Sequence, residues 1–547
     1  MNFSPKKKKF HPLRTPPKKF RFQVIDTEDD SKGTLKQIGM LGDLGEAVFT
    51  ERIPALAFLL ESAKNEENIY FVCHNLEYDI VNLFWGTQLF REATMRFSGQ
   101  GLVSVDVRGL KFIDSYRHCP YGVERLGREV VGIKKLAFDP DSPEYVLNDC
   151  RIPYEYMRKA QDEYNALGAQ IRATAPATAM DLFRRKYMSE PLPVFDMETV
   201  DWFRSGYYGG RTECFYIGTL EGEIYDYDVN SMYPHAMMGE FPDLWSLRPN
   251  DHPAFNDHGM AEAEIHLDHL DFPLLPVRYN GKLVFPTGKW RGVYTLLELR
   301  EARNAGYDIK LLKGWTTTNA VYPFTEYVTD LYGLRQDAKK RGDKIKDTVY
   351  KLLMNSLYGK FGAGKENFSL VDPSDLPPSV TVVNSYGGKA VIISEDEYPP
   401  YANAVWAAHV TARSRIILWK YMLEASEYGE VLYCDTDSII MRAAGKPSFR
   451  DSLELGGLKL VGQEKSIMIV LPKVYRFGNE YKAKGARNPK DFINLGMSKD
   501  VQPIRLREGL KRGLRPNVWV EKVKMLKGSY DKRVVLKSGF TRPLKMS

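Results

Sequence analysis

The sequence predicts an α/β protein of several domains, and three observations support this fold class. The chain has 547 residues, more than one hydrophobic core usually organises, so two to four domains are expected. A short run with alternating apolar residues at 20–25 and a short apolar run at 68–73, both predicted strands, precede a stretch with helical spacing at 144–157. Two longer helical patterns, 324–341 and 343–361, are separated by a glycine, which predicts a helical hairpin.

The composition is typical of a soluble globular protein, with 43% hydrophobic and 27% charged residues. No apolar run approaches the roughly 20 residues that cross a membrane. The N-terminus lacks the apolar stretch of a signal peptide, so we expect an intracellular protein. The five cysteines form no CxxC pair, which argues against a zinc site or a disulfide framework.

The distribution of charge is more informative than the net charge of +7. Residues 6–21 contain eight Lys and Arg side chains and no acid, and residues 505–545 are again strongly basic. Basic ends around an acidic centre suit a polyanion that is held over carboxylate-bound metals. We expect residues 1–20 to form a basic disordered arm, with nucleic-acid contact or nuclear targeting as alternatives.

Two aspartate-containing motifs lie on predicted strands that are distant in sequence. Tyr-Asp-Val-Asn-Ser-Met-Tyr-Pro places Asp228 at the end of a predicted strand, and Tyr-Cys-Asp-Thr-Asp-Ser places Asp435 and Asp437 at the turn of a predicted hairpin. Paired strands would gather these three carboxylates around two Mg²⁺ ions. Two ions roughly 3.5–4 Å apart, which contact both the attacking and the leaving oxygen, are what nucleotidyl transfer requires.

A helix between these two motifs carries a set of polar side chains on one face. Lys351, Asn355 and Tyr358 are spaced i, i+4 and i+7 in Lys-Leu-Leu-Met-Asn-Ser-Leu-Tyr-Gly. The preceding predicted helix places Arg335 and Lys339 one turn apart. Three cations that converge on one point suit a triphosphate. The alternative is a solvated amphipathic helix with surface cations.

A second set of acids lies upstream, in Asp26-Thr27-Glu28, in Asn75…Tyr78-Asp79 and in Tyr145…Asp149. Four carboxylates from strand ends and a helix can bind two metals that activate water against a phosphodiester. Tyr145 precedes the last acid by one helical turn and is suited to orient that water.

The first three motifs resemble the two palm motifs and the fingers motif of the family B DNA polymerases. The resemblance implies that Asp228 and Asp437 bind the metals, that Asp435 assists them, and that the carbonyl of Val229 is a further ligand. The residues that it assigns to the incoming nucleotide are Tyr233 beneath the sugar, Arg335, Lys339 and Lys351 on the triphosphate, and Asn355 and Tyr358 beside the nascent base pair.

The upstream acids occur in the order and spacing of the three 3′–5′ exonuclease motifs of the same family. The resemblance implies a second catalytic centre, with contacts to single-stranded DNA from Asn75 and Tyr78. The family's auxiliary exonuclease lysine is left unassigned, since Lys134 and Lys135 come later than expected. The metal ligands implied at this centre are Asp26, Glu28, Asp79 and Asp149, with Tyr145 as a further catalytic residue.

The chain resembles the compact protein-primed branch of the family in particular. Its first exonuclease motif begins only 25 residues in, and few residues follow the last palm motif. Tyr207-Tyr208-Gly209-Gly210 matches the branch's YxGG motif, and Lys473-Val474-Tyr475 matches its KxY motif. The DNA-binding residues that these motifs and a further primer–template motif imply are Tyr207, Gly209, Gly210, Thr411, Arg415, Lys473 and Tyr475.

The resemblance implies a ribonuclease-H-like exonuclease domain joined to a right-hand polymerase. That polymerase would have an antiparallel-sheet palm, helical-hairpin fingers and a small thumb. The boundaries expected are an arm at 1–20, an exonuclease domain at 21–185 and a polymerase domain at 186–547. Within the latter we expect a palm at 190–240 and 401–460, an insertion at 241–322, fingers at 323–361, a second, irregular insertion at 362–400 and a thumb at 461–547.

The function that the resemblance implies is replicative, DNA-dependent DNA synthesis with 3′–5′ proofreading and strand displacement. The cofactor would be two Mg²⁺ ions per active site, with Mn²⁺ as an alternative. The partners would be primer–template DNA, dNTPs and a priming terminal protein. We expect a monomer with no membrane partner, in the host cytoplasm if a phage encodes it, with nucleus and mitochondrion left open.

Two other hypotheses remain at this point. One is a primer-independent family B polymerase that begins DNA synthesis de novo. The other is a non-catalytic DNA-binding replication factor, which the complete set of acids at both centres disfavours.

Overall fold

Three β-sheets organise the chain. The computed structural model describes residues 8–30, 33–64, 67–99, 101–364, 367–376, 382–386, 389–394, 398–449, 454–512, 514–526 and 528–547. A ten-stranded mixed sheet belongs mainly to the N-terminal third, a seven-stranded antiparallel sheet lies at the centre, and a five-stranded sheet lies beside it. Within the described ranges, no helix is both long and apolar enough to cross a bilayer.

The N-terminal domain places two of the predicted acids within a strand rather than after it. Residues 22–25 are buried, as expected for a strand with neighbours on both sides, and the strand continues through Asp26 and Glu28. Its elements are strands β1 (Lys9–Phe10), β2 (Arg21–Asp29), β3 (Leu35–Gly42), β4 (Gly45–Phe49), β5 (Ile69–Cys73), β6 (Thr94–Ser98), β7 (Gly101–Val107) and β8 (Leu110–Asp114), and helices α1 (Arg52–Lys64), α2 (Leu76–Phe84), α3 (Gln88–Glu92), α4 (Val123–Arg125), α5 (Pro143–Ala166) and α6 (Ala175–Leu182).

The middle of the chain contains the predicted helical hairpin. Gly342 adopts φ 70°, which ends the first helix, and the Asp343 side chain accepts a hydrogen bond from the backbone N–H of Lys346 to start the second. The elements are β9 (Leu192–Pro193), β10 (Thr212–Cys214), β11 (Gly218–Val229), β12 (Phe241–Pro242), β13 (Arg248–Asn250), β14 (His258–Leu267), β15 (Val277–Tyr279), β16 (Lys282–Val284), β17 (Thr287–Thr295), β18 (Asp308–Thr317) and β19 (Ala320–Val321), and α7 (Met197–Ser205), α8 (Met232–Met237), α9 (Leu296–Asn304), α10 (Thr325–Arg341) and α11 (Lys344–Phe361).

The last third of the chain contributes strands to all three sheets. One long helix, Ala404–Tyr428, leads into the predicted aspartate hairpin of the central sheet. The elements are β20 (Asn367–Val371), β21 (Val382–Tyr386), β22 (Lys389–Ser394), β23 (Gly429–Asp435), β24 (Ser438–Ala443), β25 (Leu458–Leu471), β26 (Val474–Phe477), β27 (Glu480–Ala483), β28 (Met497–Pro503), β29 (Trp519–Met525), β30 (Arg533–Val535), β31 (Thr541–Pro543) and β32 (Lys545–Met546), and α12 (Ala404–Tyr428), α13 (Pro489–Asn494) and α14 (Leu506–Arg512).

The expectation of an irregular insertion at 362–400 is wrong. Strands β20, β21 and β22 pair with one another, and β20 pairs with β6, so this segment extends the N-terminal sheet. Leu370 lies fully buried in the core of the N-terminal domain. The segment therefore joins two parts of the chain that are nearly 300 residues apart.

The predicted thumb at 461–547 does not form one unit. Strands β26 and β27 and most of β25 belong to the central sheet. The end of the chain also returns to the body of the molecule, where β32 pairs with β17 and Phe540 forms a bridge with Tyr216. Two separate two-stranded sheets, β28–β29 and β30–β31, also lie in this range.

The expectation of a disordered arm at 1–20 is wrong for its described part, while residues 1–7 lie outside the described residues. Strand β1 pairs with β9, and Phe10 is buried beneath the Arg184 guanidinium, which lies 4.4 Å from its ring centroid. The backbone N–H of Leu13 donates to the carbonyl of Arg184. Because these contacts use apolar as well as charged groups, the arm is part of the folded structure.

A continuous core connects the N-terminal domain to the helical hairpin. One buried cluster contains Tyr156 of α5, Leu182 of α6, Leu331 of α10, Leu353 of α11 and Val405 of α12. The packing of these five helices fixes the hairpin against both the N-terminal domain and the helix that leads to the aspartate hairpin.

The packed arm is testable by limited proteolysis. We expect trypsin to cut the native protein slowly at Arg14 and Lys18, because both lie in the segment held by Phe10. Phe10→Ala should make these cuts faster, since removing a buried phenylalanine costs about 3–5 kcal/mol of packing. His11→Ala, at an exposed neighbouring position, is the matched control. Rapid cutting at Arg14 in the unaltered protein would contradict the packed arm.

Candidate active sites

The N-terminal acids assemble into a compact cluster. Asp26 and Glu28 of β2 and Asp149 of α5 present carboxylate oxygens that all lie within 4.8 Å of one another. Oδ2 of Asp26 and Oδ1 of Asp149 are buried and have no hydrogen-bond partner. Such oxygens are the donors that Mg²⁺ prefers, and leaving them buried and unpaired is costly. The residues present therefore fit a divalent cation.

The electrostatics of this cluster support that interpretation. Burial, and then the Asp79 charge, raise the pKa of Asp26 well above its ordinary value. Burial, and then the Asp149 charge, raise the pKa of Glu28 to about 7. Carboxyl groups at such close range raise one another's pKa, because their negative charges repel. A bound cation would stabilise the ionised carboxylates and lower their pKa values.

Asp79 lies beside the cluster and is held by a neighbour. The side chain is 2% exposed, and its Oδ1 accepts hydrogen bonds from the backbone N–H of Thr27 at 3.0 Å and from the Thr27 hydroxyl at 2.7 Å. These bonds attach α2 to β2. Its role as a metal ligand stays a prediction, and in this structure it does not belong to the compact trio.

Lys135, one of the two lysines that the sequence left open, contacts the acidic cluster. Its Nζ forms an ion pair with Oδ2 of Asp149 and lies 5.1 Å from the centroid of the Tyr145 ring. Helical turns end at Gly132, which has φ 83°, so Lys135 lies in the loop that follows them. The following loop is fixed because Asn148 Oδ1 accepts a hydrogen bond from the backbone N–H of Leu136.

The other predicted residues of this centre surround the cluster. Tyr145 is buried, and burial raises its pKa to about 12, so its hydroxyl is neutral near pH 7. Asn75 is exposed at the start of α2 with φ 81°, and the Tyr78 hydroxyl donates to Oδ2 of Asp29 at 3.0 Å. Direct contact of Asn75 and Tyr78 with DNA stays a prediction.

In the central sheet, strand pairing brings Asp228 and Asp437 together. Asp228 on β11 lies opposite Ser438 on β24, and the backbone N–H of Val229 donates to the carbonyl of Asp437 at 2.7 Å. Directly paired residues have Cα atoms about 4.5–5.5 Å apart. Thr436 adopts φ 66°, which closes the turn between β23 and β24. Two segments over 200 residues apart thus meet at the end of this sheet.

The charges at this sheet end are coupled. Burial, and then the Asp228 carboxylate, raise the pKa of Asp437 to about 6. Burial also raises the pKa of Asp228, while the charges of Lys459 and Lys351 act in the opposite direction. Lys459 lies opposite Asp228 on β25. Sequence analysis missed it because only the strand register places it here.

Asp435 differs from its two partners. Its carboxylate forms an ion pair with Lys473, whose Nζ lies 2.7 Å from each oxygen, and its Oδ1 accepts a hydrogen bond from the Thr212 hydroxyl at 2.9 Å. Among the acids in the described ranges, the N-terminal trio is the group of three in which one carboxylate oxygen from each residue lies within 4.8 Å of the others. Asp228, Asp435 and Asp437 therefore do not form an equally compact trio, and Lys473 contacts an acid of this centre.

The cations predicted to hold a triphosphate converge, but one of them is already paired. Arg335 is 8% exposed, and its Nε donates to Asp347 at 2.8 Å. Lys339 and Lys351 are exposed. Burial lowers the pKa of Lys339, and the charges of Arg335, Lys459 and Lys351 add to this effect. Four positive groups thus lie close to one another beside Asp228, as an anionic ligand would require.

Aromatic and glycine residues form the surface next to the aspartate turn. Tyr233 and Tyr358 stack with ring centroids 4.4 Å apart and planes inclined by 20°. A Cβ at Gly210 would lie 2.9 Å from Cγ2 of Thr436 and 3.2 Å from the Tyr233 hydroxyl, so only glycine allows this approach. Asn355 donates to the carbonyl of Lys351 on its own helix. The structure therefore brings the 207–210 motif directly onto the turn.

The remaining members of the predicted DNA-contact set lie near the same turn. The Tyr475 ring lies 5.5 Å from that of Tyr433, on the strand that leads to Asp435. A Cβ at Gly362 would lie 2.6 Å from the Tyr207 hydroxyl, so Tyr207 packs against the end of α11. Gly209 is exposed. Contacts of these residues with DNA stay predictions.

Direct DNA contacts of Thr411 and Arg415 stay predictions, and both side chains are buried in this structure. Thr411 is 3% exposed and bonds to carbonyls of its own helix. Arg415 is 1% exposed, forms two 2.8 Å hydrogen bonds with Glu298, and donates to the carbonyls of Tyr208 and Gly209. Arg415 holds the 207–210 segment in place.

Comparisons with known proteins agree with this architecture. The family model described as DNA polymerase type B, organellar and viral, matches residues 133–381. The chain is 28% identical over 391 residues to the DNA-directed DNA polymerase of Enterobacteria phage PRD1, which covers 66% of this chain and 65% of that protein. It is 27% identical over 369 residues to a probable DNA polymerase of Neurospora intermedia, covering 62% of this chain and 37% of the relative.

The fold is similar to that of Phi29 DNA polymerase in its complex with primer-template DNA. The TM-score is 0.73 at 16% sequence identity, and the match covers 93% of this chain and 100% of the other. The predicted fold class is thereby confirmed: a ribonuclease-H-like domain joined to a right-hand polymerase domain.

The molecule thus has the fold of the right-hand polymerases, with one acidic centre at the N-terminal sheet and one at the central sheet. In sequence, the chain is similar to the organellar and viral DNA polymerases of type B over residues 133–381 and to the DNA-directed DNA polymerase of phage PRD1.

Cation binding at the N-terminal cluster is predicted to depend on pH. Because the pKa of Glu28 is about 7, protons compete with the cation below neutrality, and affinity should rise as the pH increases through 7. Calorimetric titration with Mn²⁺ at pH 6.5 and 8, in buffers of different ionisation enthalpy, measures both affinity and proton release. Glu28→Gln should weaken binding and reduce the release. An affinity independent of pH over this range would contradict the prediction.

Proposed function

We propose that this chain is a DNA-dependent DNA polymerase that also degrades DNA from the 3′ end. The observation that carries the proposal is the presence of two acidic centres in one chain, one on β2 and α5 and one at the meeting of β11 with the β23–β24 hairpin. Two separate centres suit two opposed reactions on one strand end, addition and removal of a nucleotide.

At the polymerising centre, Asp228 and Asp437 would hold two Mg²⁺ ions, with Asp435 and the Val229 carbonyl in support. Bound there, the ions would supply charge stabilisation to phosphoryl transfer. Lys339, Lys351 and Lys459 would attract and hold the triphosphate of a dNTP, because their charges converge beside Asp228. The stacked Tyr233 and Tyr358 rings provide an apolar surface next to the turn.

At the exonuclease centre, Asp26, Glu28, Asp79 and Asp149 are the proposed metal ligands. The cation would supply water activation against the terminal phosphodiester. Lys135 holds Asp149 in place and brings a positive charge to the anionic substrate, and Tyr145 offers a neutral hydroxyl. The exposed position of Asn75 is suited to a strand end that approaches the cluster.

The partners follow from the same proposal. Primer–template DNA would contact the 207–210 segment, which Arg415 fixes against the aspartate turn. The structural relative, Phi29 DNA polymerase, forms a complex with primer-template DNA, and the family resemblance supports priming by a terminal protein. The 362–400 segment, which connects the two domains through β20 and β6, would support strand displacement.

The two activities should be separable by single substitutions. Asp437→Asn should abolish dNTP incorporation on a primed template while single-strand degradation continues, because the other acidic centre is unchanged. Asp26→Ala should have the opposite effect. Incorporation and degradation of labelled oligonucleotides measure both, and each variant's retained activity shows that it folds. Full incorporation by Asp437→Asn would overturn the assignment.

Lys135 provides a sharper test of the exonuclease centre. Lys135→Met should lower the degradation rate about 10- to 100-fold, the usual effect of removing an outer-shell partner of a metal ligand. Lys134→Met is the matched control, since Lys134 is exposed and adjacent. Incorporation of dNTPs should be unchanged in both variants. Equal degradation rates in the two variants would contradict the role of Lys135.

The alternative of de novo initiation is tested by supplying no primer. On a circular single-stranded template with dNTPs and Mg²⁺, the protein alone should make no product, because this branch of the family begins synthesis on a protein hydroxyl. Adding an annealed primer should restore synthesis. Product without a primer would favour the de novo alternative.

A further inference from the structure

The edge strand of the central sheet is attached to the aspartate turn on one side and to the end of the chain on the other. Strand β10 pairs with β23 so that Thr212 lies opposite Asp435 and Cys214 lies opposite Tyr433. It is one of the two edge strands of this seven-stranded sheet, and β27 is the other. Its outer edge would present unpaired backbone groups if nothing covered it.

Residues 530–541, here called the C-terminal strap, cover that edge. The Tyr530 hydroxyl accepts a hydrogen bond from the backbone N–H of Cys214 at 2.9 Å, and Lys532 Nζ donates to the carbonyl of Thr212 at 3.0 Å. The Thr541 hydroxyl donates to the carbonyl of Cys214 at 3.0 Å. Three side chains therefore make the hydrogen bonds that an eighth strand would otherwise supply.

The strap continues along the residues that follow β10. The backbone N–H of Thr541 donates to the carbonyl of Phe215 at 2.9 Å, and that of Ile217 donates to the carbonyl of Gly539 at 2.8 Å. The strap is also attached to the neighbouring insertion by the ion pair of Asp531 with Lys282. It therefore holds the edge strand over its whole length.

A buried ionic group fixes the register of this contact. Glu213 is fully buried, and its carboxylate lies 2.8 Å from Nε of Arg211 and 3.9 Å from an Arg533 nitrogen. The two arginines are 1% and 3% exposed. Because an unpaired buried charge is strongly destabilising, a shift of the strap by one residue would be disfavoured.

On its other side, β10 and the residue before it hold the turn itself. The Thr212 hydroxyl donates to Oδ1 of Asp435 at 2.9 Å, and the carbonyl of Arg211 accepts from the backbone N–H of Thr436 at 2.6 Å. Thr212 is thus in contact with Lys532 through its carbonyl and with Asp435 through its hydroxyl. One residue connects the strap to a carboxylate of the polymerising centre.

We propose that the C-terminal strap positions Asp435 for nucleotide addition, with Lys532 and Tyr530 as positioning residues. The inference rests on the polymerase function proposed above. The strap holds the backbone of β10, β10 holds the turn at Asp435 and Thr436, and the turn sets the orientation of the adjacent Asp437. The exonuclease centre lies on a different sheet and is independent of the strap.

If the C-terminal strap only protected the edge of the sheet, its variants would show different kinetic and thermal effects. Loss of such a cover would lower the thermal stability and reduce both activities together. A positioning role predicts a lower kcat for dNTP incorporation, with little change in the KM for dNTP and in exonuclease activity. The conservative variants below remove one hydrogen bond each and leave the buried ionic group intact.

The test compares Lys532→Met with Lys537→Met. Both variants remove one positive charge from the same hairpin, but Lys537 is exposed at its turn. We expect Lys532→Met to lower the kcat of single-nucleotide incorporation about tenfold, a change of about 1.4 kcal/mol in the barrier. Lys537→Met should incorporate at the native rate. Tyr530→Phe, which leaves the N–H of Cys214 unpaired, should reproduce the effect of Lys532→Met.

The outcomes separate this inference from the function on which it rests. If the unaltered protein incorporates no nucleotide, the proposed function fails. If Lys532→Met and Tyr530→Phe both incorporate at the native kcat, the inference alone is wrong. Equal losses in the Lys532 and Lys537 variants, or parallel losses of incorporation, degradation and melting temperature, would also overturn it. Selective loss of kcat in both strap variants supports it.

Discussion

The structure depends on the pairing of β11 with β24. This pairing places Asp228 opposite Ser438 and lets Val229 bond to the carbonyl of Asp437, so acids far apart in sequence share one sheet end. A one-residue slip would reverse the side chains of a strand to the other face of the sheet. Helix α12 precedes the aspartate hairpin and packs into the core that also holds the helical hairpin, so the rest of the polymerase domain is arranged around this register.

In both acidic centres, closely spaced carboxylates repel one another, and a lysine reduces this repulsion. Each gathers carboxylates that raise one another's pKa, and each has a lysine on one of its acids, Lys135 on Asp149 and Lys473 on Asp435. The lysine lowers the local repulsion and leaves the other acids for cations. The centres differ in compactness, since the N-terminal acids come from a strand and a long helix that pack directly, whereas the central acids depend on a turn that is itself held from outside.

Local sequence pattern predicted the elements that carry the chemistry. The helices around Arg335 and Lys351 and the aspartate hairpin follow from periodicity and turn residues, and the motifs located both sets of acids. Features that depend on distant pairing were missed. Strand β20 forms because β6 is available beside it, and Arg415 is buried because Glu298 lies opposite. No local sequence pattern indicates that β6 is the partner of β20 or that Glu298 is the partner of Arg415.

The central claim is that Asp228 and Asp437 share bound cations. Anomalous scattering from a crystal of the protein soaked with Mn²⁺ tests it most directly, because it locates the ions independently of the protein density. We expect anomalous density between these two carboxylates, with oxygens of both within about 2.0–2.6 Å, the range of oxygen ligands around divalent cations. Density on one of the two acids alone, or carboxylates separated by more than about 10 Å, beyond the span of a metal pair, would contradict the account.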